Sequence, residues 1–253
     1  MLKQTLLAFT VLGFAGTAAA ADITNPFFLP KSLHVNSITS GSFTKATYKG
    51  DGWADRGYIK QASEQLQFGI LNNLAIIGGI EKYWSKSKGG FKYHNDLDWD
   101  AGLAWNIVDC NAKVQLSSVY GQEAPGRTKG TYKYFDTALK LGYQFKTFMP
   151  YVSLNVVTPV AQTSRDNRWN YTGRVGVYHG KCEVWALDTG LAMNFDRADH
   201  SHDLTADAEA SYYLTKNVTL GVYGSYLLDR QEKFDGDEHN HEKMVGARLR
   251  MYF

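Results

Sequence analysis

From Val245 to Phe253 the chain alternates between two kinds of residue. Val245, Ala247, Leu249, Met251 and Phe253 share one parity; Gly246, Arg248, Arg250 and Tyr252 share the other. A period of two belongs to a β-strand with unlike faces. The pattern recurs upstream. Leu97, Trp99, Ala101, Leu103, Trp105 and Ile107 interleave with Asp96, Asp98, Asp100, Gly102, Ala104 and Asn106, the cleanest run in the chain. Leu66, Phe68 and Ile70 interleave with Gln65, Gln67 and Gly69, and Asn72-Asn73 then marks a tight hairpin turn. Read this way, the chain predicts strands at about 33–49, 57–71, 74–85, 92–108, 112–122, 131–145, 150–160, 168–179, 182–196, 203–215, 218–229 and 241–253.

The connections between these segments alternate in length. Tight turns fall at Asn72-Asn73, Asp109 to Asn111, Lys146-Thr147, Gly180-Lys181 and Lys216-Asn217. Longer, more polar connections are expected around Asp51, Lys88, Ala124, Ser164, His200 and Asp235. About twelve strands, an even number, with short turns at one end and longer loops at the other predict an all-β fold. Its form is a closed antiparallel up-and-down transmembrane β-barrel. Faces rich in Leu, Val, Trp and Phe, with no helices to cover them, need lipid as their solvent. Only a closed sheet leaves no unpaired edge there. A soluble β-sandwich has no reason to alternate its connection lengths.

The amino terminus changes the address. Lys3, an apolar core from Leu6 to Phe14 and the small residues Ala18, Ala19 and Ala20 form the pattern of a secretory signal peptide over residues 1–21. That core is too short to span a bilayer as a helix. Residues 22–32, with Asn25-Pro26-Phe27-Phe28-Leu29-Pro30, read as a rigid aromatic periplasmic lead-in, and 33–253 as the barrel. The composition agrees: aromatics make up 14% of the chain, Gly is plentiful and Pro scarce. A formal net charge of +2 argues for no nucleic-acid partner.

The signal peptide, the repeated hairpins and the terminal alternation Val245, Ala247, Leu249, Met251, Phe253 resemble bacterial outer-membrane β-barrel proteins of the porin-like superfamily. Such proteins present a terminal aromatic to the barrel-assembly machinery, and here that residue is Phe253. The third position from the end, often Tyr in such signatures, is Met251. The resemblance spans the mature chain but is architectural, and no substrate-specific motif accompanies it. It implies outer-membrane lipid, lipopolysaccharide, the assembly machinery and small solutes as partners, and no cofactor. Oligomeric state stays open.

Parity places Glu81, Asp98, Asp100, Lys113, Asp136, Lys140, Arg174, Asp188, Asp207, Glu209, Arg248 and Arg250 on the inner face. Charges at membrane depth must pair or meet water. They line a hydrated pore for passive diffusion of small hydrophilic solutes, or they cross-link a closed lumen together with inward Tyr151, Tyr178, Tyr213 and Tyr223. The second outcome suits a non-conducting surface adhesin, antigen or envelope scaffold. Two His-x-His loops, with His200 and His202 and with His239 and His241, offer imidazoles for a metal ion; ordinary solvated polar loops are the simpler explanation. Cys110 and Cys182 fall at turns of the same end and allow one disulfide. Enzyme chemistry finds little support. A phospholipase needs Ser, His and an orienting group together on the outer wall, and an omptin-like protease needs paired acids with a rim His. Asp98 and Asp100 imitate the latter only loosely.

Overall fold

The alternating segments form strands because every second side chain along them is apolar and every other one is small, polar or charged. A computed structural model describes residues 22–50, 53–87, 92–94, 97–123, 132–161, 169–181, 183–196, 201–231 and 241–253. The strands are β1 (Val35–Gly50), β2 (Trp53–Leu71), β3 (Leu74–Ser87), β4 (Lys92–His94), β5 (Asp98–Asp109), β6 (Ala112–Glu123) and β7 (Tyr132–Tyr143). They continue with β8 (Phe148–Ala161), β9 (Asn170–Lys181), β10 (Trp185–Asp196), β11 (Ser201–Thr215), β12 (Val218–Gln231) and β13 (His241–Tyr252). Each pairs antiparallel with its chain neighbours. The short β4 and the longer β5 both pair with β3, so together they act as one barrel strand. β1 pairs with both β2 and β13, which closes the sheet. The result is a closed twelve-strand antiparallel barrel.

Burial follows the predicted parity. On β5, Trp99, Leu103, Trp105 and Ile107 are exposed on the outer wall, whereas Ala104 and Asn106 are buried inside. Exposed aromatics gather towards both margins. Tyr58, Trp84, Phe135 and Trp169 lie on the loop side, and Trp105, Tyr143, Trp185 and Tyr212 on the turn side. Two such girdles flanking an apolar band match the two interfaces of a bilayer. Tyr83 belongs instead to the inner face, opposite Gln61. Among the described residues no helix is long and apolar enough to cross a membrane.

One expectation is corrected. β1 and β2 stay paired up to Gly50 and Trp53, so the first loop-side connection is as short as a turn. Backbone pairing carries β2 back from the expected start at Gly57 to Trp53, so the strands end where pairing ends and not where the sequence turns polar. Residues 22–34, which include the lead-in, pack against the barrel itself. They fold into its turn-side mouth, and the reason is burial. Phe27, Leu29 and Ile23 are almost inaccessible, at 3%, 8% and 2% exposure. Phe27 packs with Met149, Tyr151, Tyr178 and Ala186; Leu29 with Ala75, Ile77 and Ala104; Ile23 with Tyr213 and Tyr252.

Candidate functional site: the barrel interior

The inner face carries three assemblies at different depths and on different walls. The first is the plug made by residues 22–34. Its Phe27 carbonyl accepts from Asn106 Nδ2 at 3.0 Å and Gln115 Nε2 at 3.2 Å, and its Pro26 carbonyl from Lys140 Nζ at 3.0 Å. The hydroxyls of Tyr178 and Tyr213 donate to the Asp22 carboxylate at 2.7 and 2.9 Å. The segment leaves the lumen at Leu33, whose φ of 65° turns the backbone so that Leu33 N donates to Gly69 O at 2.8 Å. Gly69 is required at that contact. A Cβ there would sit 2.0 Å from Lys31 O and 2.5 Å from Pro30 O. Gly142 likewise makes room for the Phe27 ring.

The second assembly is ionic and lies on β8–β13. Arg174 donates through Nε to Asp207 at 3.0 Å and through Nη2 to Asp188 at 3.2 Å. The Tyr151 hydroxyl donates to Asp188 at 2.7 Å, and the Arg174 guanidinium lies over the Tyr151 ring. Arg248 and Arg250 both pair with Glu209, the second at 2.5 Å, and Ser211 donates to the same carboxylate at 3.1 Å. Arg248 also covers the ring of Tyr223, at 4.6 Å. Arg174 on β9 reaches Asp188 on β10 and Asp207 on β11, and Glu209 on β11 reaches Arg248 and Arg250 on β13 across β12, so these charges largely cancel.

The third assembly is the wall formed by β3, β5, β6 and β7. Glu81 stands directly opposite Asp98, and Asp100 opposite Gly79. Glu123 follows Gln122, which pairs with Trp99, so its carboxylate joins the same rank. Glu81 is within electrostatic reach of Asp98 and Asp100, and Asp136 of Asp100. This wall borders a cavity of about 370 Å³, lined by Ser40, Ser63, Glu81, Asp98, Asp100, Glu123 and Tyr134, with Arg248 across from them.

The predicted residues therefore divide. Asp98, Asp100, Glu81 and Asp136 share the acidic wall; Arg174, Asp188, Asp207, Glu209, Arg248 and Arg250 form the ionic wall; Lys140 serves the plug. Lys113 stands apart near the turn end, paired with Asp109 at 2.6 Å. Cys110 is an exposed, unbridged thiol in the β5–β6 turn, and Cys182, its expected partner, lies outside the described residues. His200 and His239 also lie outside them. His202 stacks obliquely on Phe195 and His241 stands opposite Thr47, on strands separated by β12. Among the described residues no group of three or more His, Cys, Asp or Glu has metal-holding geometry. Phe253 pairs its backbone with Val35, in both directions, at the barrel seam. Sequence reasoning missed Glu123, Tyr134 and the plug anchors Asn106 and Gln115. The parity of β5, β6 and β7 was the signal that could have found them.

No protein-family model matches the sequence, and no curated protein is similar to it in sequence. Solved structures do share the fold. An outer-membrane channel from Pseudomonas putida F1 has a TM-score of 0.66 at 12% identity, over 89% of this chain and 97% of that one. The likeness is one of fold: a closed antiparallel β-barrel, as in solved outer-membrane barrels. The beta domain of the Bordetella autotransporter Brka superposes with a TM-score of 0.57 at 13% identity, over 87% of this chain and 100% of that one. The NanC porin gives 0.54 at 12% identity, over 83% and 98%. At such identities the barrels share a fold alone, and these three include a channel, a porin and an autotransporter domain.

Proposed function

We propose that this chain is exported by a cleaved signal peptide to the bacterial outer membrane. There it works as a passive channel for small hydrophilic solutes, closed at the turn-side mouth by its own residues 22–34. The observation that carries the reading is the acid-lined cavity of about 370 Å³ lying inside the barrel. A chain needing only a rigid scaffold gains nothing from ranking Glu81, Asp98, Asp100 and Glu123 on one wall, where like charges repel. A conduit gains a field that concentrates cations from the loop side. Eleven of the twelve inward charges then have two jobs: the acidic wall attracts solute, and the ionic wall with Lys140 holds shape and plug; Lys113 stays with Asp109. No solute chemistry and no cofactor is involved.

The test is single-channel conductance of the refolded mature protein and of a variant lacking residues 22–32. The intact protein is expected to conduct rarely, and the truncated one to give stable steps. Under a salt gradient its reversal potential should indicate cation preference, reduced by Asp98→Asn combined with Asp100→Asn. A folded truncated barrel that never conducts removes the channel reading. It would favour a non-conducting surface adhesin, antigen or scaffold, a use suited to the paired Arg174, Asp188 and Asp207 and to the tyrosines that fill the turn side.

A further inference from the structure

The outer wall is not uniform around the barrel. Across β13, β1, β2 and β3 one row of directly paired residues reads Lys243, Lys45, Tyr58, Lys86. All four are exposed, with the same parity as the membrane-facing Val245, Phe43 and Trp84. Lys60, also exposed, stands opposite Phe43 and Trp84, one outward step nearer the membrane centre. Four ammonium groups thus sit within three strand spacings, a width of about 14 Å.

Two features make this patch ask for an anion. Lys45 and Lys243 are directly opposite each other, an arrangement in which like charges repel. None of the ion pairs found among the described residues involves Lys45, Lys60, Lys86 or Lys243. The depth is that of a headgroup layer. Phe43 precedes Lys45, Trp84 precedes Lys86, and Val245 lies beside Lys243 on the membrane side. The Phe43 and Tyr58 rings lie 5.5 Å apart, and Lys243 Nζ rests 5.0 Å above the Tyr226 ring. Aromatic rings with long cationic side chains just beyond them mark the interface. Elsewhere the loop-side margin carries exposed Phe135, Trp169, Phe195 and Leu228. The cationic patch is local to the seam strands.

We propose that this patch binds the phosphorylated headgroup of an outer-leaflet glycolipid of the lipopolysaccharide class. Lys243, Lys45 and Lys86 take the phosphates, Lys60 reaches up from below, and Phe43 and Trp84 lie against the upper acyl chains. The inference rests on the reading that the loop end of the barrel faces the outer leaflet. A second copy of the chain is a poor occupant, because a symmetric contact would set lysines against lysines.

The experiment is native mass spectrometry of the full mature protein refolded in zwitterionic detergent. The probes are diphosphorylated lipid A, phosphatidylglycerol and inorganic phosphate. Lipid A should be retained as a single adduct at concentrations about tenfold below those at which phosphatidylglycerol is retained, with no inorganic phosphate adduct. Combining Lys45→Gln, Lys86→Gln and Lys243→Gln should weaken lipid A retention about tenfold or more, and Lys243→Gln alone about threefold. Lys146→Gln with Lys216→Gln, exposed at the turn end, should change it by less than about twofold. Heat-modifiable migration checks that each variant is folded. Equal retention by wild type and triple variant overturns the proposal. So does an equal loss from the turn-end pair, or equal binding of phosphatidylglycerol. A protein that conducts but retains no lipid A sinks this inference alone, and one that retains lipid A without conducting sinks only the channel reading.

Discussion

The two ends of the barrel interior are built on opposite terms. At the turn side the inward positions are small or hydroxyl-bearing, and residues 22–34 fill the space between them. Ala75, Ala104, Ala186 and Gly142 leave room for Leu29 and Phe27, and Tyr178 and Tyr213 supply donors to Asp22. At the loop side the inward positions are carboxylates and the space between them is open. Single strands carry this gradient. β5 runs inward-facing Asp98, Asp100, Gly102, Ala104, Asn106 from loop to turn, and β3 runs Ala75, Ile77, Gly79, Glu81 in the other direction. Depth is thus written along each strand in residue size and charge. One end is specified for packing and the other for solvation.

The sharpest way to break this contrast is to empty the packed end. Phe27→Ala removes a ring held by four neighbours and should weaken plug docking by about 3–4 kcal/mol. The readout is protease cleavage within residues 22–34, expected to rise sharply while the barrel remains heat-modifiable. Cleavage unchanged from wild type would mean that the plug is held by its polar anchors alone. Gly69→Ala attacks the same end from the wall. Its new methyl would overlap Lys31 O, so plug backbone must shift, at a cost of about 1–3 kcal/mol. Protection of residues 22–34 should fall again, by less than for Phe27→Ala.

Much of the wall was legible in the sequence because a period of two is a local signal. The inward parity of Asp98, Asp100, Arg174 and Arg248 followed from it directly. What parity cannot carry is register and partnership. Whether Arg174 meets Asp188 and Asp207, or Glu209 meets Arg248 and Arg250, depends on which strands adjoin and at what offset. The docking of residues 22–34 was not legible for a related reason. The prolines there rightly removed Asn25 to Pro30 from any strand. Yet Phe27-Phe28-Leu29 is a run of large apolar residues with no strand face to hide on, and such a run must be buried somewhere. Only the empty, small-residue mouth of the barrel provides the place, and that mouth exists only after closure.

Smaller changes refine the comparison. Asp22→Asn keeps one acceptor for the tyrosine hydroxyls but removes the charge, so plug protection should drop by about 1–2 kcal/mol. Asp98→Asn with Asp100→Asn, at the open end, should leave that protection unchanged within about 0.5 kcal/mol, since neither residue touches the plug. Any larger effect would mean that the two ends are mechanically coupled.

Leu33→Gly should act in the opposite direction. Leu33 holds a φ of 65° where the plug turns into β1, and its side chain is 80% exposed, so it contributes little packing. The left-handed conformation costs an L-residue about 1–2 kcal/mol, and glycine does not pay it. Glycine instead loses about 0.5–1 kcal/mol more in backbone entropy on ordering. The difference leaves a gain of about 0.5 kcal/mol, or roughly a twofold increase in protease protection of residues 22–34. A loss of protection would show that the exposed Leu33 side chain helps to hold the plug at the rim, moving the boundary between the packed and open halves to the edge of the barrel.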